Sequence, residues 1–402
     1  MHPTDAPSST SGRPLRVALF TDTLVDVNGV ARFIRNIAAE ARRSGRDLQV
    51  VTSTRATVPQ ASNITNFKPL LAGTMPGYHD LEWAVPPFMQ LYRWIGETRP
   101  DVIHASTPGF VGMVGRIGAK LHRIPVAGVY HTDFPAYIDH LFNDASMTRG
   151  TEAYMRLFYR SFAAIFSRSR EYVDILHSYG INNAPIHPLR PGIDLETFNR
   201  SFRDTSIWTS HGVPADAFKV LYVGRVSVEK NLPLLAGIWK ETRRRLHDAG
   251  VDAHLILVGD GPYRAPMQAE LSGENAHFLG FRHGAELTTL YASSDIFAFP
   301  SVTDTLGQVV MEAQACGLPA LVSDRGGPRS IVRHDATGFV LSPDSPDLWI
   351  DSIVALGTDP AARARLGSAG AARIAELSIA DSFEHFWAVH QQIHAKAAAA
   401  PA

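Results

Sequence analysis

Short, uninterrupted apolar runs alternate with stretches of helical period along this chain, and after one break the whole pattern starts again. Leu15–Phe20 (LRVALF) is followed by Val30, Phe33, Ile34, Ile37, Ala38 and Ala41 at helical spacing. Similar runs lie at Leu48–Thr52, Val102–Ala105, Val126–Tyr130 and Ala163–Ser167, with helical stretches such as Phe110–His122 and Thr151–Phe162 between them. Such alternation predicts a parallel sheet covered by helices on both faces. The Pro-Gly pair in Arg190-Pro191-Gly192-Ile193-Asp194 is a break, and Phe218–Val223 (FKVLYV) begins a second series. That series continues with His254–Val258, Ala276–Leu279, Ile296–Phe299, Ala320–Ser323 and Gly338–Leu341. Ala361–Leu377 and Ser382–Ala397 read as Ala-rich helices, and no repeat of 20 to 50 residues relates the halves.

A chain of 402 residues exceeds what a single core usually supports. The predicted division is a flexible Ser/Pro/Thr-rich leader (1–13), a first Rossmann-like α/β domain (14–190), a second (191–378), and a C-terminal helix and tail (379–402). Two domains imply a cleft between them. With 38 basic against 39 acidic residues there is no global field to draw the protein onto nucleic acid, so any anion site must be local. Cys316 is the single cysteine, which excludes an internal disulfide and a cysteine zinc site and fits a reducing compartment. No apolar run approaches the roughly 18 residues of a membrane span, and the leader lacks the apolar core of a secretory signal. The expected location is the cytoplasm, with peripheral contact at the inner face of a membrane left open.

In open α/β sheets ligands bind beyond the carboxyl ends of the strands, so the loops after these runs carry the candidates. Gly224-Arg225-Val226-Ser227-Val228-Glu229-Lys230-Asn231 follows the first strand of the second series and puts a glycine and two cations on one loop. A leaving diphosphate needs its charge neutralised; Arg225 offers a planar fork and Lys230 a compact point charge. Solvated surface cations near a turn are the plain alternative. Ser301 to Ala313 holds two carboxylates, Asp304 in a loop and Glu312 within a helix, around Leu306 and Gly307. The loop-to-helix junction at Gly307 predicts free backbone N–H groups aimed at an anion. Asp304 could accept from sugar hydroxyls and Glu312 from a ribose, or they are an N-cap-like residue and an exposed helix acid.

Tyr130-His131-Thr132-Asp133 follows a strand of the first series, where His131 is either a polar group near a reacting sugar or merely hydrogen-bonded. His131 and Asp133 resemble part of a metal site, but no third ligand is signalled nearby, and no metal is expected. In the loop Asp22–Val30, Asn28-Gly29 permits positive backbone dihedrals and close approach to a ligand; it lacks the GxGxxG fingerprint of nicotinamide enzymes. Gly259-Asp260-Gly261-Pro262 is a tight turn first and a nucleotide contact second.

Taken together these stretches resemble family 4 of the retaining glycosyltransferases, from Leu15 to the C-terminal helices. The similarity lies in the order of Pro191-Gly192-Ile193-Asp194 with Phe198, Gly224-Arg225 with Lys230-Asn231, Gly259 to Pro262, Asp304 to Glu312 followed by Ala313, Gly317 and Pro319, and Arg325-Gly326-Gly327-Pro328. The resemblance implies a GT-B fold of two Rossmann-like domains facing a cleft, its C-terminal helices packing back towards the first domain. It implies that Asp304 faces the donor sugar, that Leu306 and Gly307 give backbone N–H groups to it or to phosphate, that Glu312 holds the ribose, and that His131 lies near the transferred sugar. Asp304 stands where the family usually has Glu, Leu306 where Phe is common, and Ser330 where an acid often follows the glycines. The VNGV and HTDFPAY stretches are reminiscent of members acting on lipids with mannose, glucose or sulfoquinovose.

The expectation is then a retaining hexosyltransferase using a nucleotide-diphosphate hexose (GDP-mannose or UDP-hexose) as co-substrate, with a lipid or glycan acceptor, no cofactor and no essential metal. His131, Asp304, Arg225 and Lys230 are expected in the chemistry, and Gly29, Gly224, Gly259, Gly261, Leu306, Gly307 and Glu312 around the nucleotide sugar. A nucleotide-sugar epimerase on the same architecture and a non-catalytic sugar-binding protein are the alternatives.

Overall fold

The computed structural model describes residues 13–26, 29–75, 78–131, 133–142, 144–168, 170–304 and 306–399. Leader residues 1–12, Asn28, Thr132 and Thr305 lie outside them. Arg13, read as the end of the leader, is held by an ion pair to Asp101 (2.7 Å). The chain forms two compact units, one running to Arg190 and resuming at Ser382, the other Pro191–Asp381.

In the first unit the strands are β1 (Arg16–Phe20), β2 (Asp47–Thr52), β3 (Ile64–Asn66), β4 (Leu71–Met75), β5 (Tyr78–Val85), β6 (Val102–Ala105), β7 (Val126–Tyr130), β8 (Ala164–Ser167) and β9 (Ile186–Pro188). The helices are α1 (Gly29–Arg43), α2 (Phe88–Thr98), α3 (Phe110–His122), α4 (Phe134–Phe142), α5 (Ala145–Tyr159) and α6 (Arg170–Ser178). Among the described residues β3-β2-β1-β6-β7-β8-β9 form one parallel sheet in that order, and β4 pairs with β5 as an antiparallel hairpin. Residues of β6, β7 and β8 are buried throughout, as a sheet covered on both faces requires.

The second unit has α7 (Ile207–Ser210), β10 (Phe218–Val223), α8 (Leu232–Asp248), β11 (Ala253–Val258), α9 (Arg264–Glu270), β12 (Ala276–Gly280), α10 (Gly284–Ser293), β13 (Ile296–Phe299), α11 (Gln308–Ala315), β14 (Ala320–Ser323), β15 (Gly338–Leu341), α12 (Pro346–Thr358) and α13 (Pro360–Ala375). Its parallel sheet runs β12-β11-β10-β13-β14-β15. That is the doubly wound order, whose direction reverses between the first and fourth strands, β10 and β13. The first unit reverses in the same way between β1 and β6.

Two helix expectations are corrected. The stretch read as Thr151–Phe162 begins six residues earlier, at Ala145, because the Asp144 carboxylate accepts from the amides of Ser146 and Met147 and caps the helix there. The last helix, α14 (Ile379–Ala399), is longer than Ser382–Ala397 and fills a gap in the first unit's core. Phe383, Phe386, Trp387, Val389 and Ile393 are buried there against β1, β7 and β8 side chains such as Val17, Val129 and Phe166. Burial of each large side chain is worth roughly 1.5–3 kcal/mol.

At the centre of this contact His390 of α14 meets His104 of β6, both fully buried. The His390 Nδ1–H donates to the Phe386 carbonyl (2.7 Å), so its Nε2 is the lone pair that accepts from His104 Nδ1 (3.0 Å). Burial holds both imidazoles neutral, lowering His390 to about 4 and His104 well below its usual value. The unfolded chain takes up these protons near pH 6.5, so the stability they contribute is present above that pH and is lost as pH falls towards 4, with a slope of up to about 1.4 kcal/mol per pH unit per histidine. The thermal midpoint of the first unit should therefore drop on acidification from pH 6.5 to 4, and a His104→Leu/His390→Leu double variant should show a flatter dependence.

Candidate functional site

The reversal of strand order in the second unit leaves a crevice beyond the carboxyl ends of β10 and β13, and the two loops that open there carry Arg225, Lys230, Asp304 and Gly307. Buried Tyr222, near the end of β10, donates its hydroxyl to the Arg225 carbonyl (2.8 Å) and stacks on Phe299 of β13 (5.8 Å between centres), fixing where both loops leave the sheet. Burial, then the charges of Asp304 and Glu229, push the Tyr222 phenol well up, so it stays a donor.

The loop after β10 tightens into a single helical turn, Val228–Lys230, and ends at Asn231 in the left-handed conformation (φ 55°) before α8. Its Lys230 ammonium reaches the Asp304 carboxylate at 2.8 Å, with side-chain exposures of 21% and 25%, so neither is a freely solvated surface charge. An ammonium has three donors, and Asp304 is its only partner among the described residues, which leaves two for a ligand. Thr303 donates to the Glu229 carbonyl (3.2 Å), a second tie between the loops. The Arg225 side chain is exposed and makes no hydrogen bond or ion pair among the described residues, though its charge is felt at Glu229. Burial works to raise the Glu229 carboxyl; hydrogen bonds and the charges of Arg225 and Lys230 outweigh it and lower the pKa.

Asp304 is not an N-cap: that position belongs to Gly307 (φ 80°), and among the described residues no side chain caps α11. The Val310 amide turns back to the Gly307 carbonyl (2.9 Å), while the leading end of the helix keeps its positive dipole open beside Lys230 and Asp304. A side chain at Gly307 would meet Pro328 at 2.8 Å, so glycine is required by its backbone and by its neighbour together. The Gly327 amide donates to the Asp304 carbonyl (2.7 Å), so the glycine loop after β14 props the acid loop from below. Leu306 is half-buried against the core of the unit.

Glu312 is 2% exposed, which excludes its reading as an exposed helix acid. The Tyr291 hydroxyl donates to its Oε2 at 3.0 Å, and Tyr291 rests edge-on against Phe198 of the Pro191–Phe198 segment (5.8 Å). Gly224, Gly259 and Gly261 have a structural reason to lack side chains. A Cβ at Gly259 would lie 2.0 Å from the Gly224 carbonyl oxygen and one at Gly261 2.4 Å from that of Val226, so the turn after β11 packs backbone to backbone against the Arg225 loop. Val226 N–H to the Asp260 carbonyl and Tyr263 N–H to the Val226 carbonyl, each 3.0 Å, lock the two together.

In the first unit, His131 is buried (8%), its Nε2 3.4 Å from Ser106 Oγ and its ring edge-on to Phe33 at 6.0 Å. Burial first, and the charge of Arg168 second, lower its pKa well below the ordinary value, so it is a neutral imidazole at pH 7. Asp133 accepts from the hydroxyls of Tyr130 (3.0 Å) and Tyr179 (2.9 Å), which occupies the carboxylate that looked like a metal-site fragment. Of the Asn28-Gly29 pair, Gly29 is the first residue of α1 and Asn28 lies outside the described residues. A Cβ at Gly29 would meet nothing within 4 Å among the described residues. The loop's Asp22 is half-buried, accepting from Thr107 Oγ1 (2.6 Å) and the amides of Val111 (2.7 Å) and Gly112 (3.3 Å) at the head of α3. Burial raises its pKa against those hydrogen bonds. Sequence reasoning passed over Tyr222, Ser106 and Arg168; the last two stand directly after strands, the same signal that marked His131.

Among the described residues no helix is long and apolar enough to cross a membrane. Comparison with known proteins bears on the whole chain. Residues 205–373 match the family model described as glycosyl transferases group 1, and residues 27–197 match that of glycosyltransferase family 4. A sulfoquinovosyl transferase, SQD2, of Arabidopsis thaliana is 30% identical over 365 residues, covering 89% of this chain and 69% of that one. A GDP-mannose-dependent alpha-mannosyltransferase of Mycobacterium tuberculosis is 30% identical over 335 residues, 81% of this chain and 84% of that one. Among solved structures, sucrose-phosphate synthase of Thermosynechococcus elongatus superposes with a TM-score of 0.73 at 17% identity, over 95% of this chain and 100% of that one. Anabaena Alr3699/HepE in complex with UDP and glucose does so at 0.71 and 17%, over 94% and 100%, and both share the GT-B fold. With two Rossmann-like units, the motif order described above and relatives matched over most of their own length, this chain belongs to the family 4, group 1 glycosyltransferases, enzymes that use nucleotide sugars.

Proposed function

We propose that the enzyme transfers a hexose, with retention of configuration, from a nucleotide-diphosphate donor such as GDP-mannose or a UDP-hexose to a hydroxyl of a lipid or glycan acceptor, giving an α-glycosidic bond. The observation that carries the reading is the N-terminus of α11, uncapped among the described residues, lying beside the Lys230–Asp304 pair at the point where the second sheet reverses. A helix end contributes about 0.3–2 kcal/mol towards an anion. That is enough to orient a diphosphate and too little to catalyse its departure, so Lys230 and the free guanidinium of Arg225 supply the rest.

On this reading Lys230 bridges Asp304 and the departing phosphate with its two remaining donors, and Arg225 folds over the diphosphate once it is bound. Leu306 and Gly307 give it backbone N–H groups. Gly224, Gly259 and Gly261 let backbone, not side chain, form the floor, and Glu312, already oriented by Tyr291, takes the ribose hydroxyls. Asp304 accepts from a hydroxyl of the donor hexose. His131, neutral and buried, hydrogen-bonds the transferred sugar without adding charge, and Gly29, which has no side chain, admits the substrate close to the backbone. The acceptor hydroxyl then attacks the face from which the diphosphate leaves, so no protein nucleophile is required. The relatives that are named as sulfoquinovosyl and mannosyl transferases support a hexose donor.

The test is a thermal-shift panel of nucleoside diphosphates and their sugars, since a ligand bound only by the native state raises its midpoint. UDP or GDP should raise it while the monophosphates do so less; a flat response across the panel would overturn the reading. Lys230→Ala should lower kcat by about 100-fold or more, the size of effect seen when one transition-state donor is removed, and a variant within a few-fold of wild type would take Lys230 out of this role. Because side chains and a helix end neutralise the leaving group here, turnover should be unchanged in excess chelator; loss of activity restored by magnesium would show the charge assignment to be wrong.

A further inference from the structure

Ser106, Arg168 and His131 are the first residues after β6, β8 and β7, three adjacent strands of the first unit's sheet. Tyr130 pairs in register with Ser167, so the residues that follow them, His131 and Arg168, leave the sheet side by side. The Arg168 guanidinium lies over the Phe33 ring, 5.5 Å from its centre, and the His131 ring meets the same phenyl edge-on. Among the described residues no carboxylate pairs with Arg168 and no group accepts a hydrogen bond from it. Burial lowers its pKa to about 10, with Tyr172 opposing, so at neutral pH the half-buried Arg168 is charged. Beside it the buried Nδ1 of His131 also lacks a partner among the described residues.

The half-buried guanidinium has no counter-ion among the described residues, and a guanidinium with its fork unused matches the two oxygens of an oxyanion. We propose that Arg168, backed by Phe33 and flanked by His131, is a recognition site for an oxyanion carried by a saccharide substrate: a carboxylate, sulfonate or phosphate group on the transferred hexose or on the acceptor. The inference rests on the transfer reading above and narrows its substrate class to acidic sugars. Phe33 covers one face of the guanidinium and keeps water from it, while the neutral His131 offers a hydrogen bond without competing for the anion. A neutral sugar in the same place leaves the Arg168 donors unpaired, and a site built around such donors rejects the ligand that cannot satisfy them by large factors.

Calorimetry on the full-length protein tests this in two arms. In the donor arm UDP-glucuronic acid is compared with UDP-glucose; in the acceptor arm glucose 6-phosphate is compared with glucose, with and without UDP. The wild type should bind the acidic member at least tenfold more tightly in one arm, and that arm identifies the source of the anion. Arg168→Gln should abolish the preference with little change in the thermal midpoint of the free protein, because only the contact with the Phe33 ring and no hydrogen-bonded or ion-paired partner among the described residues is lost. Arg168→Lys should keep part of it. A purely structural arginine predicts the reverse: a lowered midpoint and equal treatment of acidic and neutral sugars. Absence of a tenfold preference in both arms, or its survival in Arg168→Gln, overturns the proposal; failure to bind any nucleoside diphosphate overturns instead the transfer reading on which it rests.

Discussion

A parallel sheet buried on both faces has nowhere to keep chemistry except its ends. Every residue of β10 and β11 is buried, as is every residue of β13 and β14, so no side chain on the strands themselves can meet a polar ligand. The polar groups are forced into the loops at the carboxyl ends, and the sheet order decides which loops meet. With β10 and β13 side by side and their connections running in opposite directions, the loops of Lys230 and Asp304 become neighbours although 74 residues separate them in sequence.

The two units use the same architecture to opposite effect. In the first, the loop after β1 sends Asp22 into the head of α3, where it satisfies two amides and leaves no room for another anion; a Cβ at Gly109 would lie only 2.4 Å from its carboxyl carbon. In the second, the equivalent loop turns Lys230 and not an acid towards the start of the helix that follows β13, and among the described residues the head of α11 has no side-chain cap. One fold thus yields a closed helix end and an open one, decided by whether a carboxylate is placed there.

The strands that cross the core were legible because complete burial writes an unbroken apolar run: β6, β7, β10, β13 and β14, buried throughout, fall where the sequence puts them. β3 and β9, each three residues long and only partly buried or exposed, leave no such run and pass unnoticed. The hairpin β4–β5 escapes for a related reason, since its segments mix polar with apolar residues in no clean period. Of the site, the residue types and their loops were legible, while their pairings were not. That Lys230 meets Asp304, that Tyr291 orients Glu312, and that Gly259 and Gly261 brace another loop all depend on distances across the sheet. Arg168 was the costliest omission: its position matched that of His131, but an arginine after a strand looks ordinary until the missing counter-ion is seen.

The core of the first unit takes five large or branched side chains from α14, the last helix, which is separated from the rest of that unit by the whole of the second. On a ribosome, where the chain emerges from its amino end, the second unit has all its strands and helices in hand before the first has its final wall. The amino-terminal half must wait, with the apolar side chains around Val17, Phe33 and Phe166 uncovered, for a segment nearly two hundred residues downstream, so the order in which the two halves mature is the reverse of the order in which they are made.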